Sequence, residues 1–191
     1  MGKGRLEAFS DGVLAVIITI MVLDMKAPQS VDFAALYAVL PVFLVYVLSF
    51  IYIGIYWNNH HHMLHAVERI DGRSMWANLH LLFWLSLVPF VTAWMGENHF
   101  AALPTALYGV VLLMAAISYT LLQMSLVAAN GKNALLAQAV GHDVKGKLSI
   151  VCYVLAISVA FVNHAISSVL YTLVAIMWFI PDRRIERVHA A

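Results

Sequence analysis

A chain of 191 residues that is 63% hydrophobic and only 11% charged cannot close itself inside a water-soluble surface. Soluble domains carry about 25% charge, and the surplus apolar side chains would lie in large exposed patches. A net charge of +1 excludes global attraction to nucleic acid, and the single cysteine, Cys152, excludes an intrachain disulfide.

Mean hydropathy of +0.86 directs the chain to lipid, where a helix needs about 20 residues to cross. The sequence predicts an all-α protein of six transmembrane helices in one domain, 1–191. The helices fall at about 6–25, 33–58, 75–95, 103–128, 148–162 and 165–180. A membrane-spanning sheet would instead read as short alternating segments.

The first helix is the unusual one. Lys3 and Arg5 before an apolar run resemble a signal peptide, but Glu7 and Asp11 interrupt the approach and no small-x-small cleavage site follows, so the helix is expected to be retained. Its uninterrupted apolar run, 12–23, has only twelve residues. An acidic residue near membrane depth is costly and faces protein or water, which places this helix centrally in an assembly. At 100° per residue, Gly12, Val16, Thr19, Ile20 and Leu23 share one stripe. Such a stripe is either a helix-packing seam or a pore lining whose apolar rings gate by dewetting. Asp11 projects off it, so its expected role is to anchor the helix to its neighbours.

The second helix runs into His60, His61, His62 and His65. His61 and His65 are four apart and share a helical face. A zinc site needs three or four ligands, and Glu68 is the best-placed carboxylate in the sequence. With no cysteine to complete the set, the expectation is hydrogen-bonding histidines, no metal site and no cofactor. In the third helix Pro89 predicts a kink, with the freed carbonyl satisfied inside the bundle. Trp57, Trp76, Trp94 and Trp178 fall near helix ends, as an interfacial belt requires. The linker 129–146 is polar enough to lie on the membrane face. Asn163-His164 divides the last two helices into a hairpin, and the tail beyond 181 is charged and solvated. There is no phosphate-binding loop, nucleophile elbow or catalytic carboxylate pair, so no enzyme is expected.

Six crossings place Lys3, Arg5, Arg69, Arg73, Lys132, Lys145, Lys147, Arg183, Arg184 and Arg187 on one side and leave Lys26 alone on the other. The positive-inside rule makes the basic side cytoplasmic. The expectation is a multi-pass protein of the cell (inner) membrane with both termini in the cytoplasm.

Arg5-x-x-x-Phe9-Ser10-Asp11 at the start of the first helix resembles the signature of the transmembrane protein 175 family of potassium channels. The run RLEAFSDGVLAVIITIMVLDM is similar to its bacterial branch. Tyr56-Trp57-Asn58-Asn59-His60-His61, Asn78-Leu79 and Leu87-Val88-Pro89-Phe90 are also in keeping. The resemblance implies one six-helix unit per chain, a homotetramer, and a pore lined by the first helix without a TVGYG filter; the sequence contains no such filter. Aligned on Phe9-Ser10-Asp11, the main hydrophobic constriction falls at Val16, where Ile or Leu is commoner, so the neck would be wider. A hydroxyl layer tied to selectivity falls at Thr19 and a further apolar ring at Leu23, with Ile20 between. Arg5, Ser10 and Asp11 are implied to hydrogen-bond with Trp57, His60 or His61, and Asn78. Arg5 projects toward the pore side, where four positive charges would repel cations. It is therefore expected to turn aside or pair with an acidic group such as Asp11.

These readings converge on a potassium-permeable cation channel whose partners are copies of itself, the bilayer and potassium ions, with no nucleic acid. Two alternatives stand beside it. One is a proton-coupled secondary transporter using Asp11 and the histidines as a relay. The other is a membrane enzyme or metal-handling protein built on the histidines, which lacks ligands.

Overall fold

The computed structural model describes residues 2–131 and 143–179. Most of the expected surface linker, and the charged tail, lie outside the described residues.

Among the described residues seven helices form six rods: α1 (Lys3–Leu23), α2 (Phe33–His65), α3 (Gly72–Ser86) continued by α4 (Val88–Glu97), α5 (Ala102–Asn130), α6 (Val144–Ala160) and α7 (His164–Phe179). Among the described residues there is no strand. Four rods are long and apolar enough to cross a membrane, α3 and α4 counting as one. The last two are shorter, with 17 and 16 residues.

Local chemistry sets the helix ends. Asp32 caps α2 by accepting from the Ala35 N–H at 2.7 Å, and Asp71 caps α3 by accepting from the Ser74 N–H at 2.8 Å. Asp143 does the same for α6 through the Gly146 N–H at 2.8 Å. Asn163 turns the chain into α7 by accepting from the Ala165 N–H at 3.0 Å. The predicted kink is a break: the helix stops at Ser86 and restarts at Val88, with Pro89 in the first turn of α4, where its missing N–H costs nothing. The turn from α4 to α5 is tight, and His99 and Phe100 both adopt positive φ (49° and 60°).

At 33 residues, α2 is about 50 Å long, well beyond a bilayer core of roughly 30 Å. The sequence places its end near residue 58; the structure carries the helix on to His65. The histidines therefore ride on a rigid helical extension.

The rods pack into one core. α5 contacts α3, α4, α6 and α7, whereas α1 packs mainly on α2, α3 and α4 at one edge. Close approach uses small residues. A Cβ on Gly96 would stand 2.7 Å from the Val42 Cα of α2, and one on Gly109 would collide with the Tyr171 hydroxyl and Ile157. Buried hydroxyls tie the rods across the interior. Ser49 lies 2.7 Å from Thr92 and 3.0 Å from the Tyr108 hydroxyl. The Tyr52 hydroxyl donates to the Tyr171 carbonyl at 2.6 Å. Among the described residues no buried side-chain polar atom lacks a partner, as an apolar surround demands.

The ends of the rods sort in space. Lys3 Nζ donates to the His65 carbonyl at 3.3 Å. The Glu68 and Arg69 N–H groups donate to the Asn130 side chain at 3.0 and 2.9 Å. The start of α1 and the ends of α2 and α5 thus share one end of the bundle. Lys26 pairs with Glu97 at 3.0 Å at the other.

Candidate functional site

α1 has two dissimilar faces. Leu6, Ser10, Leu14, Ile17 and Met21 recur every three or four residues and are buried against the chain's own helices. The opposite face carries the stripe read from the sequence: Gly12, Val16, Thr19, Ile20 and Leu23 are all exposed in the single chain. Val16 is 55% exposed and Leu23 79%. Phe9, from the signature, is exposed on the same side.

Phe9, Gly12, Val16, Ile20 and Leu23 of that face line one wall of an open groove of about 1150 Å³. The other wall comes from α4 through Pro89, Phe90 and Trp94. Phe90 stacks on Trp94, with ring centroids 6.0 Å apart. Nothing in the sequence signals this second wall. It belongs to the segment that restarts after the interruption at Leu87 and packs against α1. Asp24, Lys26 and Glu97 line the groove's far end.

Ser10 and Asp11 of the signature face the other way, toward the neighbouring helices. Ser10 Oγ donates to the Leu6 carbonyl at 2.9 Å and accepts from Asn78 Nδ2 at 2.9 Å. Asn78 Oδ1 lies 2.7 Å from His60 Nε2. Ser10 and Asn78 have no exposed surface and His60 almost none. One line of hydrogen bonds therefore joins α1, α3 and α2. Asp11, one residue on, accepts from the Trp57 indole N–H at 3.0 Å. The two links clamp the start of α1 to its neighbours. Their polar atoms would be orphaned in an apolar surround if either partner were lost.

Arg5 does not pair with Asp11, which is engaged by Trp57; Arg5 is exposed and makes no ion pair among the described residues. Of the two candidate histidines, His60 joins the buried network, while His61 turns outward. His61 stacks on Trp57 with centroids 6.2 Å apart and reaches Glu7 Oε1 at 3.6 Å. The carboxylate beside the histidines is thus Glu7 of α1 and not Glu68, whose backbone N–H is held by Asn130. The signal for Glu7 was present, since it stands four residues before Asp11 on the same helical face. What was missing was the register that sets Glu7 beside His61.

Thr19 Oγ1 donates to the Val16 carbonyl at 2.9 Å. The hydroxyl proton is spent on the helix's own backbone, and the oxygen lone pairs remain free on the open side.

The comparisons with known proteins agree with this geometry. The model of the family described as the endosomal/lysosomal potassium channel TMEM175 matches residues 5–89, the stretch holding α1, the histidine end of α2 and Asn78. A protein of Chryseobacterium sp. (strain P1-3) described as a potassium channel is 53% identical over 187 residues, covering 98% of this chain and 97% of that one. The human endosomal/lysosomal proton channel TMEM175 is 35% identical over 96 residues, 44% of this chain and 19% of that protein. The crystal structure of a lysosomal potassium-selective channel TMEM175 homolog from Chamaesiphon minutus superposes with a TM-score of 0.77 at 29% identity, covering 93% of this chain and 96% of that one. These relatives are ion channels and not enzymes. With the signature, the fold and a near full-length relative in agreement, the chain belongs to the TMEM175 family.

Proposed function

We propose that this protein is a potassium-permeable cation channel of the inner membrane, with both termini cytoplasmic, in which the α1 helices of four copies surround one pore. The observation that carries this reading is the two-faced α1. Ser10 and Asp11 are fixed to α3 and α2, and its apolar-plus-hydroxyl stripe is left exposed by its own chain. One such helix cannot enclose a pore, so copies must meet on an axis. The potassium channel names of its relatives support the permeant ion.

In this arrangement Val16 and Leu23 form apolar rings in which water is disfavoured and an ion must shed part of its hydration shell. Thr19 sits between them. Its hydroxyl proton is committed to the Val16 carbonyl, so a ring of Thr19 oxygens presents lone pairs inward and favours a cation over an anion. No TVGYG filter takes part. The transporter reading needs a chain of proton carriers, whereas Asp11 and His60 end on Trp57 and Asn78.

The test is potassium flux from liposomes holding the purified protein. Flux above that of empty vesicles, altered by Val16→Asn and Leu23→Asn, is the expected result. No flux, or two variants indistinguishable from wild type, refutes the reading. Saturable uptake that requires a proton gradient would favour the transporter.

A further inference from the structure

Where α1 begins and α2 ends, three metal-ligating side chains from the two helices meet. Glu7, His61 and His65 each offer a ligand atom, and all three atoms lie within 4.8 Å of one another. We propose that they form a binding site for a divalent transition-metal ion of the zinc class, which staples the start of α1 to the end of α2.

The donor set selects the ion. Two imidazoles and a carboxylate suit zinc and its neighbours, whereas magnesium and calcium require oxygen ligands throughout. Two histidines four apart on a helix present their nitrogens to one ion, and a carboxylate completes the three-ligand set seen in open zinc sites. The rings of His61 and His65 have centroids 4.8 Å apart, and Glu7 Oε1 is 3.6 Å from His61 Nδ1. Ligand atoms around tetrahedral zinc stand about 3.3 Å apart, given bonds of about 2.0–2.1 Å. The set must therefore contract by roughly 1.5 Å at most, which side-chain rotation supplies. The fourth position opens toward solvent, since His65 is exposed and Glu7 and His61 are partly so.

The surroundings hold the ligands in place. His61 is backed by the Trp57 ring, itself fixed through Asp11. Lys3 engages the His65 backbone carbonyl and makes no ion pair with the Glu7 carboxylate. Among the described residues, the only ion-pair partner of Glu7 is His61. The site is also separate from the proposed pore face. Glu7 and Val16 are nine residues apart, which at 100° per residue sets them on opposite sides of α1. The inference therefore stands or falls independently of ion conduction.

The experiment is calorimetric titration of the full-length, untagged protein in detergent and potassium buffer, with zinc chloride and, as control, magnesium chloride. Zinc is expected to bind at one ion per chain and magnesium not at all. His61→Ala, His65→Ala and Glu7→Gln are each expected to weaken zinc binding at least about tenfold. Zinc should also raise the melting temperature of the wild type but not that of the His61→Ala/His65→Ala double variant. Each variant is first melted in chelator. Should His61→Ala be unstable, His61→Phe replaces it, keeping a ring on Trp57 while removing the ligand nitrogens. No zinc binding by the wild type, unchanged affinity in any one of the three variants, or equal binding of magnesium overturns the proposal.

Discussion

The Trp57 indole of α2 donates to the Asp11 carboxylate of α1 at 3.0 Å, and this bond decides which way α1 faces. It holds Asp11 toward α2, and the helix geometry then turns Val16, Thr19 and Leu23 outward. A hydrogen bond to a charged group contributes about 1.5–3 kcal/mol, and its loss leaves a carboxylate at membrane depth without its partner. Trp57→Phe keeps the ring beside His61 and removes only the donor. It is expected to lower stability by about 1–2 kcal/mol, read as a lower melting temperature in detergent.

Asn78 is the hinge of the buried line that runs from Ser10 to His60. Asn78→Leu preserves much of the side-chain volume but leaves the buried His60 imidazole without its partner, and the Ser10 hydroxyl, still bonded to the Leu6 carbonyl, without its donor. Each such group costs about 1–3 kcal/mol, so a loss of roughly 2–4 kcal/mol is expected. Ser10→Ala leaves one Asn78 amide N–H without its acceptor but keeps the Asn78–His60 bond, so it should cost less, about 1–2 kcal/mol. Thermal melts in one detergent give both values, and equal effects of the two substitutions would contradict the shared line.

The two faces of α1 were legible in the sequence because 100° per residue needs no knowledge of neighbours. Its polar anchors were legible as residue types, yet only the fold could pair them. Asp11 had two basic or aromatic suitors within reach of any plausible packing, Arg5 on its own helix and Trp57 on the next. The tertiary contact took the bond. The break before Pro89 was visible as a kink, but that α4 forms the second groove wall depends on how it packs against α1. Glu7 escaped notice because its partners are more than fifty residues away. Glu68 was favoured by nearness in sequence, which says nothing about which carboxylate a neighbouring helix delivers.

Gly96 marks the closest approach of α4 to α2. A methyl group there would stand 2.7 Å from the Val42 backbone, where no flexible side chain can yield. Gly96→Ala must push the helices apart, and overpacking of this kind costs about 1–3 kcal/mol. Gly12→Ala meets open space and is the matched control, with little loss of stability expected. Melting temperatures of the two variants, measured side by side, check the contrast.

Asp71 accepts from the Ser74 backbone N–H and hydroxyl, each at 2.8 Å. These bonds, the backbone one foremost, hold its carboxyl below the usual carboxylate range. A lowered folded-state value means that the charged form is favoured by folding. The cap's contribution is therefore fully present at neutral pH, starts to fall as pH approaches the ordinary carboxylate value near 4, and is lost as pH drops through the lowered one. Asp71→Asn keeps an N-cap acceptor without the charge. It is expected to flatten that part of the acid dependence of the melting temperature while changing little at pH 7.

Thr19 offers the sharpest test of the proposed pore. Its proton is bound to the Val16 carbonyl, so only the oxygen can meet an ion. Thr19→Val keeps the β-branched shape and deletes that oxygen. If four such oxygens replace part of an ion's hydration shell, the variant should still pass ions but discriminate less between potassium and sodium, with the ratio falling several-fold. Thr19→Ser retains the oxygen and should retain most of the discrimination. Val16→Phe, by contrast, should reduce the flux of every ion alike, because it narrows an apolar ring without altering any oxygen. Bi-ionic potentials from the three variants separate these outcomes. An unchanged ratio in Thr19→Val would remove Thr19 from the path of the ion.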